Sequence, residues 1–240
     1  MDVRPLSNQE PLSARRYQEQ AKIVSDALVG DPVDHADLKS AEAAISPFDR
    51  KTTTDQLISN IRAANNGKPE VYLSTPITGG DRLYNYLESK QAHSKSELAP
   101  EDLGGYTSKV IISNCKHAHK IADELRKDGD QIVEPSQITL PGWDQTKYNA
   151  NWTDFVSQLP LSKVEVCDGW QLSYGCLLEV RTALDKGIPV VDEHGKAVTR
   201  EGAKEIVDQA VTDASGRGFT LGALSKVITD PLDTLPLELK

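Results

Sequence analysis

The sequence is poor in cysteine, in aromatic side chains and in positive charge. Its 240 residues include three cysteines, and aromatic residues make up 5% of the chain. Three cysteines without framework spacing exclude a disulfide scaffold and favour a reducing compartment. Because aromatics are scarce, the core must rest on leucine, isoleucine, valine and alanine. Lysine and arginine total 27 against 36 acidic residues, and this negative balance argues against a DNA or RNA polymer as partner.

Long apolar runs are also missing from the chain. No stretch approaches the roughly 18 apolar residues that suggest a transmembrane helix, and the opening MDVRPLSNQEPLSARRY lacks the apolar region of a signal peptide. We therefore expect a cytoplasmic protein with no membrane partner. With 38% apolar and 26% charged residues, a chain of this length can bury a sizeable core and fits one domain with extensions.

Several common motifs of catalysis and cofactor binding are absent. The chain has no G-x-S-x-G elbow, no Walker loop and no G-x-G-x-x-G, which argues against an α/β-hydrolase, a P-loop enzyme and a dinucleotide-binding dehydrogenase. Cys115 and His119 lie four residues apart on a predicted helix, a spacing that suits a metal ion. No second ligand pair accompanies them, so we expect neither a metal nor a cofactor.

Residues 1–68 are predicted to form a polar, helical extension. Apolar residues recur at helical spacing in 13–28, 37–45 and 53–64. The segment Asn65-Asn66-Gly67-Lys68-Pro69 then breaks the pattern, because glycine, asparagine and proline favour turns. The interpretation leaves open what this extension does.

The segment 69–215 is predicted to form one α/β domain, because strand-like apolar runs alternate with helical patterns. This alternation favours a Rossmann-like or flavodoxin-like fold, in which helices flank a parallel sheet with right-handed crossovers. Ligands of such sheets bind beyond the carboxyl ends of the strands, which points to the loops 74–82, 134–152 and 168–175. The predicted strands are 71–75, 131–133, 164–167 and 188–191, and the predicted helices are 109–127, 148–159, 175–186 and 199–212.

Two further segments carry weaker patterns. Residues 88–106 are polar and contain Gly104-Gly105, so they form either a flexible loop or a lid over an active site. Residues 216–240 form a C-terminal tail with three proline-punctuated leucine segments, which is expected to wrap around the domain or a neighbouring subunit.

The densest group of chemically capable residues follows the third predicted strand. It is D-G-W-Q-L-S-Y-G-C-L-L-E, residues 168–179. A helix is expected to open near Ser173, which places Glu179 in its early turns, where the helix dipole favours an ionised carboxylate. Ser173 suits either an N-cap or an anion-binding hydroxyl, and Gly175 allows close approach of another chain or a ligand.

The arrangement of Ser173, Gly175 and Glu179 after a strand that ends in D-G-W resembles the nucleoside 2-deoxyribosyltransferase-like superfamily, and within it the branch near the nucleotide N-glycoside hydrolases. The segment V-Y-L-S-T-P-I-T-G-G, residues 71–80, is similar to the first strand and Gly-containing nucleoside-binding loop of that family. Two motifs in this order and context are more specific than either alone. The resemblance covers 71–193 and leaves both ends of the chain unexplained.

The resemblance implies a chemistry for these residues. Glu179 would be a nucleophile that captures the oxocarbenium-like sugar as the N-glycosidic bond breaks, and Asp154 would be the second acid. Relatives that act on unphosphorylated nucleosides have an aspartate in place of Ser173, so the serine favours a 5′-monophosphate and water as acceptor. Two departures concern the detail of the pocket: Lys163 stands where relatives often have an acid, and Pro76 stiffens the first loop.

We therefore expect an N-glycosidase that cleaves the base–sugar bond of a nucleoside 5′-monophosphate or nucleoside. The partner is then a small molecule, and by resemblance the protein forms a homo-oligomer. Transfer of the sugar to another base is the neighbouring alternative, and a non-catalytic nucleotide-binding or interaction module on the same fold is another. The predicted substrate-binding residues are Tyr72, Thr75, Thr78, Gly79, Gly80, Arg82, Asp168, Gly169, Trp170, Ser173 and Gly175.

Five of these candidates also have a purely structural interpretation. Asp154 suits a solvated surface charge, and Asp168 suits the turn that Asp-Gly favours. Trp170 and Tyr72 suit core packing as well as stacking on a base. Ser173 suits simple helix capping.

Overall fold

The computed structural model describes residues 14–64 and 70–231. Three parts of the sequence predictions lie outside the described residues: the start of the extension (1–13), the break at 65–69, and the end of the tail (232–240). All structural statements below concern the described residues.

The sheet has four parallel strands, which confirms the predicted α/β class. They are β1 (Glu70–Ser74), β2 (Ile132–Val133), β3 (Leu161–Val166) and β4 (Val190–Asp192), in the order β2-β1-β3-β4. This is the flavodoxin-like order, whose ligand crevice lies where the chain switches direction between β1 and β3.

Burial explains where the strand prediction succeeds and where it shifts. All five residues of β1 are buried, as expected for a strand covered on both faces, and such a strand gives a continuous apolar run. β3 begins three positions before its predicted start, because Ser162 and Lys163 interrupt the apolar pattern there.

Helices cover both faces of the sheet. One of them, at residues 80–89, lies where the sequence analysis assigns no element. None of the described helices is long and apolar enough to cross a membrane. The helices are α1 (Ala14–Leu28), α2 (His35–Ile45), α3 (Arg50–Ala64), α4 (Gly80–Ser89), α5 (Leu103–Tyr106), α6 (Ile112–Lys127), α7 (Gln145–Gln158), α8 (Tyr174–Asp185), α9 (Arg200–Gly216) and α10 (Leu224–Val227).

The N-terminal helices share a hydrophobic core with the α/β domain. Leu28, Ile45 and Leu57 belong to the same buried cluster as Tyr72 of β1 and Phe155 of α7. On the other sheet face, alternate strand residues pack against α6 in a smaller cluster. The extension is therefore packed onto the sheet rather than separate from it.

The segment 88–106 contains short helical turns, at Lys95–Glu97 and Pro100–Asp102, before it enters α5. Between α5 and α6 the helix widens into one π-helical stretch, Thr107–Ile111. Such widened turns are rare and frequently lie at functional sites. Just before it, the Tyr106 hydroxyl donates to the Thr78 carbonyl over 3.0 Å, which ties this helix to the loop after β1.

The described part of the tail packs on its own domain. Leu224, Val227 and Ile228 are buried, and Arg181 of α8 donates to the Val227 carbonyl over 2.9 Å. The expectation that the tail wraps around the domain holds for these residues.

Candidate active site

Glu179 is buried beneath the carboxyl end of β1, with a hydroxyl on each carboxylate oxygen. Tyr72 Oη donates to Oε1 over 3.0 Å, and Ser74 Oγ donates to Oε2 over 2.5 Å. The side chains of residues 72 and 74 share a sheet face because strand side chains alternate. Glu179 as a whole is 6% exposed, so β1 and α8 hold its carboxylate in one orientation.

Burial raises the pKa of Glu179 to about 7, although the hydrogen bonds from Ser74 and Tyr72 act to lower it. The sequence analysis expected the helix terminus to keep this carboxylate ionised, and this expectation needs correction. Removal of water from the charged form outweighs the donors around it. Near neutral pH both forms are present, which is the range in which a carboxyl group serves as a nucleophile or an acid–base group.

A cavity of about 360 Å³ lies in front of Glu179; we call it the Glu179 cavity. Trp143, Tyr148 and Trp152 form an aromatic wall on one side. The rings of Tyr148 and Trp152 stack with centroids 6.4 Å apart, and those of Trp143 and Tyr148 are 5.7 Å apart. The remaining lining residues are Thr75, Ile77, Thr78, Ile111, Ile138, Thr139, Gln145, Asn149, Ser173, Gly175 and Cys176.

A second cavity of about 390 Å³ adjoins the first; we call it the outer cavity. The two share five lining residues, so they form neighbouring compartments of one cleft. Lys95 lines the outer cavity, and none of the ion pairs among the described residues involves it. The shared residues are Thr78, Gln145, Asn149, Ser173 and Gly175.

The loop after β1 is held from behind by Asn114 of α6. This buried amide donates to the carbonyls of Pro76, Ile77 and Gly79, the latter two over 3.1 and 3.2 Å. Its own carbonyl oxygen accepts from Arg82 over 2.8 Å. Arg82 therefore supports Asn114 and does not line either compartment.

Ser173 and Gly175 open α8 at the border of the two cavities. Ser173 occupies the N-cap position, yet its hydroxyl makes no capping hydrogen bond. A Cβ atom on Gly175 would lie 3.1 Å from Asn149 Oδ1, so glycine lets α7 approach α8 closely. These two predicted site residues lie where a ligand in either cavity would meet them.

The structure does not bring Asp154 to the Glu179 cavity. Its carboxylate forms an ion pair with Arg50 of α3, with Nη1 and Oδ2 2.5 Å apart. Asp154 and Arg50 line a separate surface cavity with Tyr174 and Leu178. The predicted second acid therefore occupies the position of a partly exposed surface charge.

Gly80, Gly169 and Trp170 serve the frame of the site rather than its lining. Trp170 is 4% exposed and packs in the main core. Gly169 has a φ of 85°, which glycine adopts without strain, and a Cβ on Gly80 would lie 3.0 Å from the Gly169 carbonyl oxygen. The two glycines thus allow the loops after β1 and β3 to touch.

Asp168 points to a different cluster, formed with His117 of α6 and Glu193 after β4. Ligand atoms of these three residues lie within 4.8 Å of one another, a combination that can hold a metal ion. His117 Nε2 and Glu193 Oε2 are 2.8 Å apart, and the Asp168 amide donates to the same oxygen over 2.9 Å. The Glu193 oxygen is thus already satisfied within the protein, and the Glu179 cavity does not include this cluster.

The two buried cysteines near the site are poor nucleophiles. Burial raises the pKa of Cys167 to about 12 and that of Cys176 still further above its usual value. Both therefore remain neutral thiols near pH 7. Among the described lining residues of the Glu179 cavity, Glu179 is the one whose charge changes near neutrality.

Sequence reasoning missed several residues that shape the site. Trp143 and Trp152 lie within the loop 134–152 that it singled out, and their density in a chain so poor in aromatics was an unused signal. Ser74, Asn114 and Lys95 carried no pattern of their own, because hydroxyl, amide and lysine side chains are common in strands, helices and loops.

Of the predicted substrate-binding residues, Thr75, Thr78 and Gly79 line a cavity, whereas Tyr72 is buried, bonds to Glu179 and lines neither cavity. Comparisons of the chain with models of known protein families, with curated proteins and with solved structures found no match. The function therefore has to be argued from the geometry and from the sequence motifs.

Proposed function

We propose that the protein is an N-glycosidase that cleaves the base–sugar bond of a nucleoside 5′-monophosphate or nucleoside, with Glu179 as nucleophile. The observation that carries the proposal is a buried carboxylate, fixed by Tyr72 and Ser74, that faces a cavity with an aromatic wall. The resemblance of 71–80 and 168–179 to the nucleoside 2-deoxyribosyltransferase-like superfamily supports the same chemistry.

The proposed reaction has two steps. An ionised Glu179 oxygen bonds to the anomeric carbon of the sugar while the bond from that carbon to the base nitrogen breaks, and the base leaves with the electron pair. Water then attacks the anomeric carbon, the bond from that carbon to the Glu179 oxygen breaks, and Glu179 leaves as a carboxylate. The attacking water gives its second proton to the hydroxide that remains after the departing base has taken a proton from water. The described lining of the Glu179 cavity contains no second carboxylate, so the base takes its proton from water.

The Glu179 cavity suits a nucleobase. Planar rings stack on aromatic side chains, and the Trp143–Tyr148–Trp152 wall offers such a surface. Gln145 and Asn149 add amide groups that can bond to the edge of a base. A volume of about 360 Å³ lies in the range of small-molecule sites.

The outer cavity suits a 5′-phosphate. It combines the hydroxyls of Thr78 and Ser173 with Lys95 and the amino-terminal turn of α8. Free amides at a helix start favour an anion, and a lysine adds a full charge. The Ser173 hydroxyl makes no capping bond to α8, which agrees with this role, so we expect monophosphates to be preferred over nucleosides.

A chromatographic assay for free base tests the proposal. The purified protein is incubated with ribo- and deoxyribonucleosides and their 5′-monophosphates, beside Glu179→Ala and Glu179→Gln variants. We expect base release that both variants abolish. Release that persists in both variants would remove Glu179 from the mechanism.

A second assay tests the phosphate role of the outer cavity. Lys95→Ala is expected to raise KM for a monophosphate about tenfold, since a charge-assisted contact contributes roughly 1.5 kcal/mol, and to leave KM for the nucleoside within about twofold. Lys120→Ala, which removes a lysine from a surface pair with Glu124 on α6, is the matched control. An equal loss for both substrates would contradict the assignment.

Two alternatives have distinct outcomes in the first assay. Base release that requires a second, acceptor base would indicate sugar transfer. Binding of a nucleotide without any release, measured by calorimetry, would indicate a non-catalytic module. We also propose a homo-oligomer, which light scattering during size-exclusion chromatography tests directly.

A further inference from the structure

The N-terminal extension reaches the back of the Glu179 cavity. One wall of that cavity is the segment 138–143, which we call the wall loop; Ile138, Thr139 and Trp143 line the cavity from it. The loop has no helix or strand of its own between the turn at Pro135–Gln137 and the start of α7. Something outside the loop must therefore hold it in place.

The extension supplies contacts at two points, on either side of Leu140, whose backbone N–H and carbonyl bond to the Tyr148 hydroxyl of α7. Glu42 of α2 is fully buried, and its Oε1 accepts the Thr139 backbone N–H over 2.7 Å. Ser46, directly after α2, accepts the Trp143 indole N–H on its carbonyl over 3.2 Å, and its hydroxyl donates to the Pro141 carbonyl. These contacts therefore hold the wall loop at Thr139, Pro141 and Trp143.

The chemistry of Glu42 explains why a buried carboxylate stands there. Its second oxygen, Oε2, pairs with Lys39 over 2.8 Å at the rim of the core, so the charge has a partner while Oε1 faces the loop. A buried carboxylate with a cation on one oxygen and a backbone donor on the other has hydrogen bonds on both oxygens. Loss of the side chain would free the Thr139 amide and loosen that side of the wall.

We infer that the extension is a working part of the cavity, and that Glu42 is a positioning residue that fixes the wall loop against the bound base. The inference rests on the proposed function for its link to a nucleobase. The structural half, that Glu42 orders residues 138–143, stands without it. Glu42 does not line the cavity, so it acts through its hydrogen bond to Thr139.

Hydrogen–deuterium exchange of the full chain tests the structural half without any substrate. We expect Glu42→Ala to speed exchange of peptides covering 138–143 about tenfold, with little change in α9. Glu42→Gln keeps an acceptor for Thr139 and should retain near wild-type exchange. Lys39→Ala, which removes only the cation on Oε2, is the second control and should also leave the loop protected.

Steady-state kinetics on the nucleoside and monophosphate panel test the functional half. We expect Glu42→Ala to raise KM about fivefold and leave kcat within about twofold, and Glu42→Gln to restore KM. Unchanged exchange in Glu42→Ala, or an equal loss in Glu42→Gln, would overturn the inference. A wild-type protein that releases no base, yet shows the expected exchange, would instead refute the proposed function alone.

Discussion

Glu179 and Asp154 are the two carboxylates that the sequence nominates for catalysis, and the structure gives them opposite surroundings. Glu179 is 6% exposed, takes hydrogen bonds from two hydroxyls and faces a cavity. The Asp154 side chain is 35% exposed and pairs with Arg50. One carboxylate has lost its water without gaining a cation, and the other has kept water and gained one.

This difference separates a desolvated carboxylate from an ion-paired one. Burial without a cation raises the pKa of Glu179 to about 7, because the ionised form has lost its solvation and is raised in free energy. A partly exposed pair such as Arg50–Asp154 adds little stability.

The largest expected effect is on the rate of base release. Glu179→Gln should lower kcat at least about 1000-fold, because the amide cannot act as the nucleophile. Asp154→Asn should keep kcat within about threefold, because its carboxylate lies outside the cavity. Single-turnover kinetics with the best substrate of the panel measure both, and a large loss in Asp154→Asn would break the contrast.

The second expected effect is on stability as a function of pH. The unfolded chain releases the Glu179 proton near pH 4.5, whereas the folded protein keeps it to about pH 7. Across that window the folded state binds more protons, so this group's contribution to stability falls as pH rises. Glu179→Gln cannot ionise, and it should gain up to about 3 kcal/mol relative to wild type between pH 4 and pH 8.

Urea unfolding at pH 4, 6 and 8 measures that gain. Asp154→Asn serves as the control, since loss of a partly exposed ion pair changes the free energy of unfolding by less than about 1 kcal/mol. A difference between Glu179→Gln and wild type that does not change with pH would contradict the raised pKa.

A smaller effect should come from the hydroxyls around Glu179. Tyr72→Phe and Ser74→Ala each remove a hydrogen bond that lowers the pKa of Glu179, so the acid limb of the pH–rate profile should move to higher pH. At pH 6 we expect about a threefold loss of kcat/KM, with recovery toward pH 8. A loss of equal size at all pH values would assign these hydroxyls to another role.

The smallest effect is expected at the surface pair itself. Arg50→Ala should change the free energy of unfolding by less than about 1 kcal/mol and base release by less than about twofold. Thermal unfolding and the base-release assay measure both. A strong loss of activity would show that Arg50 and Asp154 reach the site through α7.

Local pattern predicted the parallel sheet and the position of Glu179 on its helix. β1 is buried on both faces, so its apolar run was visible in the sequence. The α4 helix was missed, although its buried positions Leu83, Tyr86 and Leu87 recur at helical spacing. The strand order could not be predicted from local sequence patterns, because it depends on pairing between segments that are distant in the chain.

Site residues could be predicted from the sequence only where they lie close together along the chain. Ser173, Gly175 and Glu179 lie within one helix start, so a short motif contained them. Asp154 could not be assigned, because its ion pair is with a residue 104 positions away. The contact of Glu42 with the wall loop could not be predicted for the same reason, since Glu42 and Thr139 are 97 positions apart.

The π-helical stretch at Thr107–Ile111 determines how the segment before it is rotated about the helix axis relative to α6. Each residue advances an α-helix by about 100°, so removing one residue there would rotate everything before it relative to α6. Tyr106 would then leave the Thr78 carbonyl, while Asn114 would keep its hold on the same loop. A one-residue deletion can thus change the orientation of the segment 88–106, including Lys95, while Asn114 keeps its hydrogen bonds to the loop after β1.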